Sequence, residues 1–404
     1  MNRRIRRRLS CFIVLLVVVL VAFNILPKGR LSDLGRLVPD INEISTSVSD
    51  ILPVPATSAG PTPTPLSSNA GGSEGLTDLL VPAGYGVRGS WFELYFTNPA
   101  SPLASQLTGG PDGPLAAAID EARLSVDVAV YSLSLNSIRA ALIRAHKRGV
   151  QVRVVMESDN SDRADPQALV AAGIPFLGDR REGLMHDKFV IIDRSEVWMG
   201  SMNFTDSGGY EDNNNLIRIR STRVAENYMV EFDEMFLSDL FGPDVLAATP
   251  NPRVTIDGTP LDIFFSPDDN VDDNLLDLLN NAHESIYFMA YSFTSDPLGE
   301  AIRERAQAGV TVGGLMDSSQ VASNIGTEYD AFRQAGLDVR VDAIDGLMHH
   351  KVIVIDGQIV VTGSYNFTAS AEDRNDETVI VIYDPAIAAQ FLAEYQRVYA
   401  QAQP

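Results

Sequence analysis

The spacing of apolar residues changes along the chain, and each change predicts a different kind of segment. From Leu9 to Leu26 nearly every residue is apolar, about the length a helix needs to cross a bilayer (roughly 17–25 residues). Five arginines stand before this run, which predicts a cytoplasmic N-terminus and an exported remainder. No small-residue cleavage site follows. Residues 1–30 are therefore expected to be an uncleaved, single-pass signal anchor in the cell membrane, with secretion after cleavage as the alternative. Residues 31–85 hold one short helical spacing, from Leu34 to Ile51, and Pro39 interrupts it. The stretch "PVPATSAGPTPTPLSSNAGGSEG" is too poor in large apolar residues to build a core, so it reads as a disordered linker.

Beyond Trp91 two periods alternate. "SVDVAVYSL" (125–133) has the period of a strand, "SIRAALIRAHKRG" (137–149) has helical spacing with a glycine stop, and "VQVRVVM" (150–156) is a strand again. The whole pattern then repeats. "AIDEARLSVDVAVYSLS" (118–134) returns as "LLNNAHESIYFMAYSFT" (278–294), and "ALIRAHKRGVQVRVVME" (141–157) as "AIRERAQAGVTVGGLMD" (301–317). The interval from Tyr131 to Tyr291 is the same as that from Gly149 to Gly309 and from Glu157 to Asp317. Strands alternating with helices predict an α/β fold. It should have two tandem units, residues 86–250 and 251–404, related by a pseudo-twofold axis. Each should be a mixed, mostly parallel sheet flanked by helices.

Charge narrows the choice of partner. The formal net charge is −22, and residues 1–85 hold 8 Lys or Arg and 6 Asp or Glu, so the remainder carries 23 bases against 47 acids. Such a surface repels phosphate backbones at long range, so an extended nucleic-acid footprint is not expected. The only cysteine is Cys11, and no intramolecular disulfide can form.

The repeated chemistry lies in "LMHDKFVIID" (184–193) and "LMHHKVIVID" (347–356), where a charged cluster runs into a buried β-run. Side chains two apart on a strand share a face, so His186 pairs with Lys188 and His349 with Lys351. Asp187 then points the other way, and His350 is read as a bystander. Each run turns at an aspartate, Asp193 or Asp356, and returns through Gly-Ser-x-Asn, which supplies Ser201 and Asn203 or Ser364 and Asn366. An ammonium as nearest same-face neighbour makes each histidine a poor metal ligand, and no carboxylate or cysteine cluster accompanies it, so no metal site is expected. Paired lysines, amides and hydroxyls suit a phosphoryl group. They would stabilise a pentacoordinate transition state while one imidazole attacks and the other protonates the leaving alkoxide. Two surface hairpins alike by chance would not repeat this whole set.

His-x-Lys-x4-Asp followed by Gly-Ser-x-Asn, twice in one chain, resembles the phospholipase D superfamily over residues from about 90 to the C-terminus. The resemblance implies a metal-independent phosphodiesterase without a cofactor, working through a phosphohistidine intermediate. The implied catalytic set is His186, Lys188, Asp193, His349, Lys351 and Asp356. The odd offset of each aspartate from its histidine nevertheless assigns Asp193 and Asp356 mainly to structure and cleft electrostatics. Ser201, Asn203, Ser364 and Asn366 are expected to bind or orient the phosphate. Similar enzymes place an acidic residue beyond Gly-Ser-x-Asn to hydrogen-bond the catalytic imidazole. Here Glu377 matches that position after His349, and Asn214 stands equally far beyond His186. The expectation is that Asn214 leaves its own half's His186 neutral, as nucleophile. Glu377 should keep its own half's His349 protonated, as general acid. Glu211 and Asp212 are alternatives to Asn214.

The expected substrate is a phosphodiester, most simply a lipid, approached through the N-terminal membrane segment. Both motifs lie in one chain, so a monomer should suffice. The alternatives are an endonuclease with the same two-histidine chemistry or a cardiolipin synthase-like phosphatidyltransferase. A lipid-binding module without catalysis would be expected to have lost a His or Lys, and none is lost.

Overall fold

The β-branched runs pair into two sheets. The computed structural model describes residues 75–402; the apolar run at 9–26 and most of the linker lie outside them. Among the described residues no helix is long and apolar enough to cross a membrane. In the first half the strands are β1 (Thr77–Asp78), β2 (Gly84–Arg88), β3 (Phe92–Thr97), β4 (Ser125–Val130), β5 (Gln151–Met156), β6 (Phe176–Gly178), β7 (Lys188–Ile192), β8 (Glu196–Gly200) and β9 (Asn215–Arg220). The second half has β10 (Arg253–Ile256), β11 (Thr259–Ser266), β12 (Ser285–Ala290), β13 (Thr311–Met316), β14 (Asp338–Val341), β15 (Lys351–Ile355), β16 (Ile359–Gly363) and β17 (Glu377–Tyr383). Strand β1 and the start of β2 fall inside the stretch 31–85 that composition marks as linker.

The sheet orders are β1-β2-β3-β9-β8-β7-β4-β5-β6 and β10-β11-β17-β16-β15-β12-β13-β14. They correct the expectation of mostly parallel sheets. Only β4-β5-β6 and β12-β13-β14 run parallel, and every other pair is antiparallel. The physical reason is connection length. A helical crossover such as Asn136–Lys147 makes the next strand parallel, whereas the short turns after β7 and β15 force hairpins.

Alternate residues of the motif strands serve different cores. Phe189 and Ile191 of β7, with Val352 and Val354 of β15, join one apolar core drawn from both halves, which also takes Tyr228 and Phe232 from helix Thr222–Ser238 and Phe391 and Tyr395 from helix Pro385–Tyr399. Val190 and Ile192 point instead into the first half's outer core, and Ile353 and Ile355 into the second's. The two sheets thus share their inner faces, and helices cover the outer ones. The halves also exchange backbone pairing, because isolated parallel bridges join Met185 to Asp376 and Asn213 to Met348. Each bridge lies next to a motif histidine in the chain.

Candidate active site

Backbone bonds between halves set each histidine. His186 N–H donates to the carbonyl of Asp376 (3.0 Å), and His349 N–H donates to that of Asn213 (3.0 Å). Each histidine therefore sits where its own strand meets the other half. Both are nearly buried, with 7% and 4% of their surface exposed.

The side-chain partners also cross between halves. His186 Nδ1 meets Glu377 Oε2 at 2.8 Å, and His349 Nδ1 meets Asn214 Oδ1 at 2.9 Å. This reverses the expected pairing of Asn214 with His186 and Glu377 with His349. The offset along the chain is the same in both halves, and the inter-half bridges carry each partner to the opposite histidine. The neighbours fix the tautomers. Asn214 donates Nδ2–H to the Gly208 carbonyl (2.9 Å), so its Oδ1 must be the acceptor for His349. Glu377 Oε1 accepts from Asn375 (3.2 Å), which leaves Oε2 for His186. Both imidazoles thus carry a proton on Nδ1 and present Nε2. Asp212 does not replace Asn214, because its Oδ1 accepts from Leu347 N–H (3.0 Å).

The lysines are buried with the histidines. Lys188 Nζ donates to His186 O (2.6 Å) and Lys351 Nζ to His349 O (2.8 Å), one proton of three in each case. Burial lowers Lys188 to about 8 against the pull of Glu377 and Asp187, and lowers Lys351 well below the usual range. Burial also brings His186 down to about 4; Glu377 opposes this, and Lys188 and Lys351 add to it. His349 lies well below an ordinary histidine through burial, then Lys351 and Lys188, with no carboxylate to offset them. Each histidine feels both lysines, so the two motifs share one site.

The serines brace the residues around the histidines. Ser201 Oγ accepts from Asn215 N–H (3.1 Å) and donates to Asn214 Oδ1 (2.9 Å), while Ser364 Oγ accepts from Thr378 N–H (2.9 Å). Both are as buried as Lys188 and Lys351. The preceding glycines are required by close approach, since a Cβ on Gly200 or Gly363 would collide with the carbonyl of Asn215 or Thr378. Asn203 and Asn366 are half-buried, and among the described residues their Nδ2–H groups have no acceptor, which leaves them able to donate to a ligand.

Asp193 and Asp356 are not part of the cleft, which corrects their place in the catalytic set. Asp193 accepts from the N–H groups of Arg123, Leu124 and Ser125, and Asp356 from those of His283, Glu284 and Ser285. Each closes the turn that starts the neighbouring strand. His350 also turns away from the cleft. It is wholly buried between Glu394 (3.0 Å) and Asn215 (3.2 Å), as a structural link.

Two pairs of repeated residues belong to the site although the motif does not contain them. Glu157 Oε2 and Asp317 Oδ2 accept the N–H of Met185 (3.1 Å) and Met348 (3.0 Å), the residues just before the histidines. Tyr131 and Tyr291 stand edge-on to His186 and His349, with ring centroids 5.1 and 4.7 Å away. Their recurrence at one constant interval was the available signal.

Comparison with known proteins agrees with this geometry. The family described as "Cardiolipin synthase, PLD-like domain" matches residues 115–236 and 275–399, one segment in each half. A phospholipase D of Rickettsia bellii is 31% identical over 164 residues, 39% of this chain and 81% of that protein. A mitochondrial cardiolipin hydrolase of Chlamydomonas reinhardtii is 35% identical over 124 residues, 31% of this chain and 55% of that protein. Further phospholipases D and cardiolipin hydrolases are matched over 51–64% of their own length. The fold of the crystal structure of phosphatidylserine synthase from Haemophilus influenzae is similar over 82% of this chain and 87% of that one, with a TM-score of 0.58 at 14% identity. With both motifs intact and brought into one site, the chain belongs to the phospholipase D superfamily and carries the site of a phospholipase D-like phosphodiesterase.

Proposed function

We propose that this protein cleaves a phospholipid or a related phosphodiester through a phosphohistidine on His186, without a metal ion. The observation that carries the reading is the pairing of each imidazole with a residue of the other half. It makes one site with two differently supported nucleophilic nitrogens.

The division of labour follows from the partners. When His186 Nε2 attacks phosphorus, its ring becomes cationic, and the Glu377 carboxylate on Nδ1–H offsets that charge. The bond from phosphorus to the leaving oxygen breaks, and that oxygen takes a proton from His349 Nε2. Before substrate binds, His349 is neutral because two ammonium groups press on it and Asn214 adds no charge. A diester anion between the lysines cancels much of that pressure, so the acid is charged when substrate is bound. His349, now neutral, then takes a proton from water as water attacks the phosphohistidine and frees His186. Lys188, Lys351, Asn203 and Asn366 hold the equatorial oxygens throughout. An alcohol in place of water would give transfer instead of hydrolysis.

A lipid substrate is favoured by the names of the relatives, phospholipase D and cardiolipin hydrolase, and by the acidic charge of residues 86–404. An anchor at 1–30 with a linker after it would hold the site near a lipid surface at high effective concentration, with the catalytic region outside the cytoplasm. One chain suffices, since both motifs come from it. The test is hydrolysis over a panel of phospholipids and single-stranded DNA, with and without EDTA. Release of lipid head groups undiminished by chelator is the expected result. Cleavage of DNA alone, or loss of activity in EDTA, overturns the reading.

A further inference from the structure

The loops that lead into His186 and Glu377 cross beside the cleft and leave a pocket there. Asp376 N–H donates to the carbonyl of Leu184 (2.9 Å) where they cross. The loop after helix Thr222–Ser238 closes the pocket from a third side, because Gly242 N–H donates to Asp376 Oδ1 (2.6 Å). The pocket holds about 260 Å³, less than the roughly 300–1,000 Å³ of sites for drug-sized ligands, so it suits a small group. The first loop contributes Arg181 and Gly183 to it, and the second contributes Arg374 and Asp376. Gly183 is three residues from His186, and Arg374 three from Glu377, so each lies within about 11 Å of the catalytic pair.

The donors of this pocket are already placed. Arg181 gives Nη1–H to the Asp179 carbonyl (3.3 Å) and Nη2–H to that of Asp239 (2.7 Å), and its guanidinium stands 5.7 Å from the Phe241 ring centroid. Those bonds use two of its five N–H groups and leave the others for a ligand. Arg374 meets Glu182 (3.2 Å) in a water-exposed pair, which a stronger anion can displace. Asp239 is engaged by Arg180 (2.8 and 3.0 Å), and Asp244 is exposed at the rim. Asp376 is nearly buried, and burial raises it well above an ordinary carboxyl; Asp187, Asp179 and Glu377 add to this, and the Gly242 N–H opposes it. It is a neutral acid, and among the described residues its Oδ2 has no partner, so that side can donate.

The second half lacks this arrangement. Asn213 N–H makes the matching crossing on the Leu347 carbonyl (2.8 Å). At the interval that separates His186 from His349, however, Ile344 stands for Arg181 and Glu211 for Arg374. The two arginines therefore mark the His186 flank alone.

We propose that this pocket is a phosphomonoester site, where the lipid product of hydrolysis rests after it leaves His186. This rests on the role given above to His186. The leaving alcohol departs toward His349, so the half that stays on phosphorus stays with His186. Water frees that half as a phosphomonoester. Two guanidiniums and one carboxyl O–H then offer its tetrahedral head donors from three residues.

The test uses the whole protein, with dihexanoyl phosphatidate below its micellar concentration as the product lipid and inorganic phosphate as the free anion. Calorimetric titration of wild type should show a phosphatidate site that Arg181→Ala and Arg374→Ala each weaken about tenfold or more. Arg374→Glu, which copies the residue at the matching place, should abolish it. Turnover of a nitrophenyl phosphodiester should stay within about twofold of wild type in all three variants, which shows that they fold and that the cleft is assembled. Phosphatidate binding unchanged in both alanine variants overturns the site, even if inorganic phosphate binds less well, and leaves the two-histidine reading standing. Absence of phosphohistidine in wild type overturns that reading and the product's route with it.

Discussion

Asn214 and Glu377 occupy equivalent places and differ by one charge, which makes them the most informative pair of residues in the site. Asn214→Asp would put a carboxylate on His349 Nδ1–H and raise the imidazole's pKa. The general acid must be protonated, so activity on alkoxide leaving groups fails as pH rises through that pKa. The alkaline limb of kcat should therefore move up by about one pH unit or more. An unmoved limb would show that His349 is not the acid. Lys188→Ala and Lys351→Ala should each lower turnover by about 10²-fold or more, since each ammonium keeps donors free for phosphate. Unaffected lysine variants, measured on any active substrate, would contradict this. The histidines, lysines and asparagines of the site could be read from the motif spacing. The exchange of Asn214 and Glu377 could not, because an equal offset from each histidine is compatible with pairing inside a half or between halves.

At the scale of elements, helices Thr222–Ser238 and Pro385–Tyr399 meet the motif strands in different ways. In the second half His350, Glu394 and Arg397 form a compensated ion-pair network. At the matching place in the first half stand Asp187, bonded to Thr378 (2.6 Å), and Glu231, with no base between them. Among the described residues Asp187 Oδ2 and Asp268 Oδ1 are buried without partners. Burial raises Asp187 to about 7, with Glu377 and Asp268 adding to it and Thr378 and Lys188 opposing; burial also raises Asp268 to about 7. A carboxyl raised in the folded state adds stability that is complete below its unfolded pKa and is lost as pH climbs through the folded value. Stability should thus fall between about pH 4 and 7, by up to about 1.4 kcal/mol per pH unit for each proton, and the melting temperature should fall with it. Asp187→Asn, which keeps the acceptor for Thr378, should flatten that slope; a slope identical to wild type would contradict the assignment. The turn aspartates make a separate prediction. Asp193→Ala and Asp356→Ala should each cost about 1–3 kcal/mol of stability in denaturant melts, because three backbone donors lose their acceptor. Phosphohistidine should still form in the folded fraction, and a stable but inactive Asp193→Ala would return that residue to the chemistry. Strands and helices were legible because their periods differ. Sheet direction was not, because a buried run reads the same in a hairpin as in a crossover.

For the whole molecule, the duplication is what makes a single site possible. The central core draws on both sheets, and the bridges at Met185–Asp376 and Asn213–Met348 tie each histidine to the other half. The repeat was plain in the sequence, down to single residues such as Tyr131 and Tyr291. The backbone exchange was not, since it depends on how two similar surfaces meet. The most direct test of one composite site is to quench the enzyme during turnover of a nitrophenyl phosphodiester and map the phosphoryl group by mass spectrometry. The account predicts at most one phosphoryl group per chain, on His186, which persists in His349→Ala and disappears in His186→Ala. Two groups per chain, or one carried by His349, would contradict it.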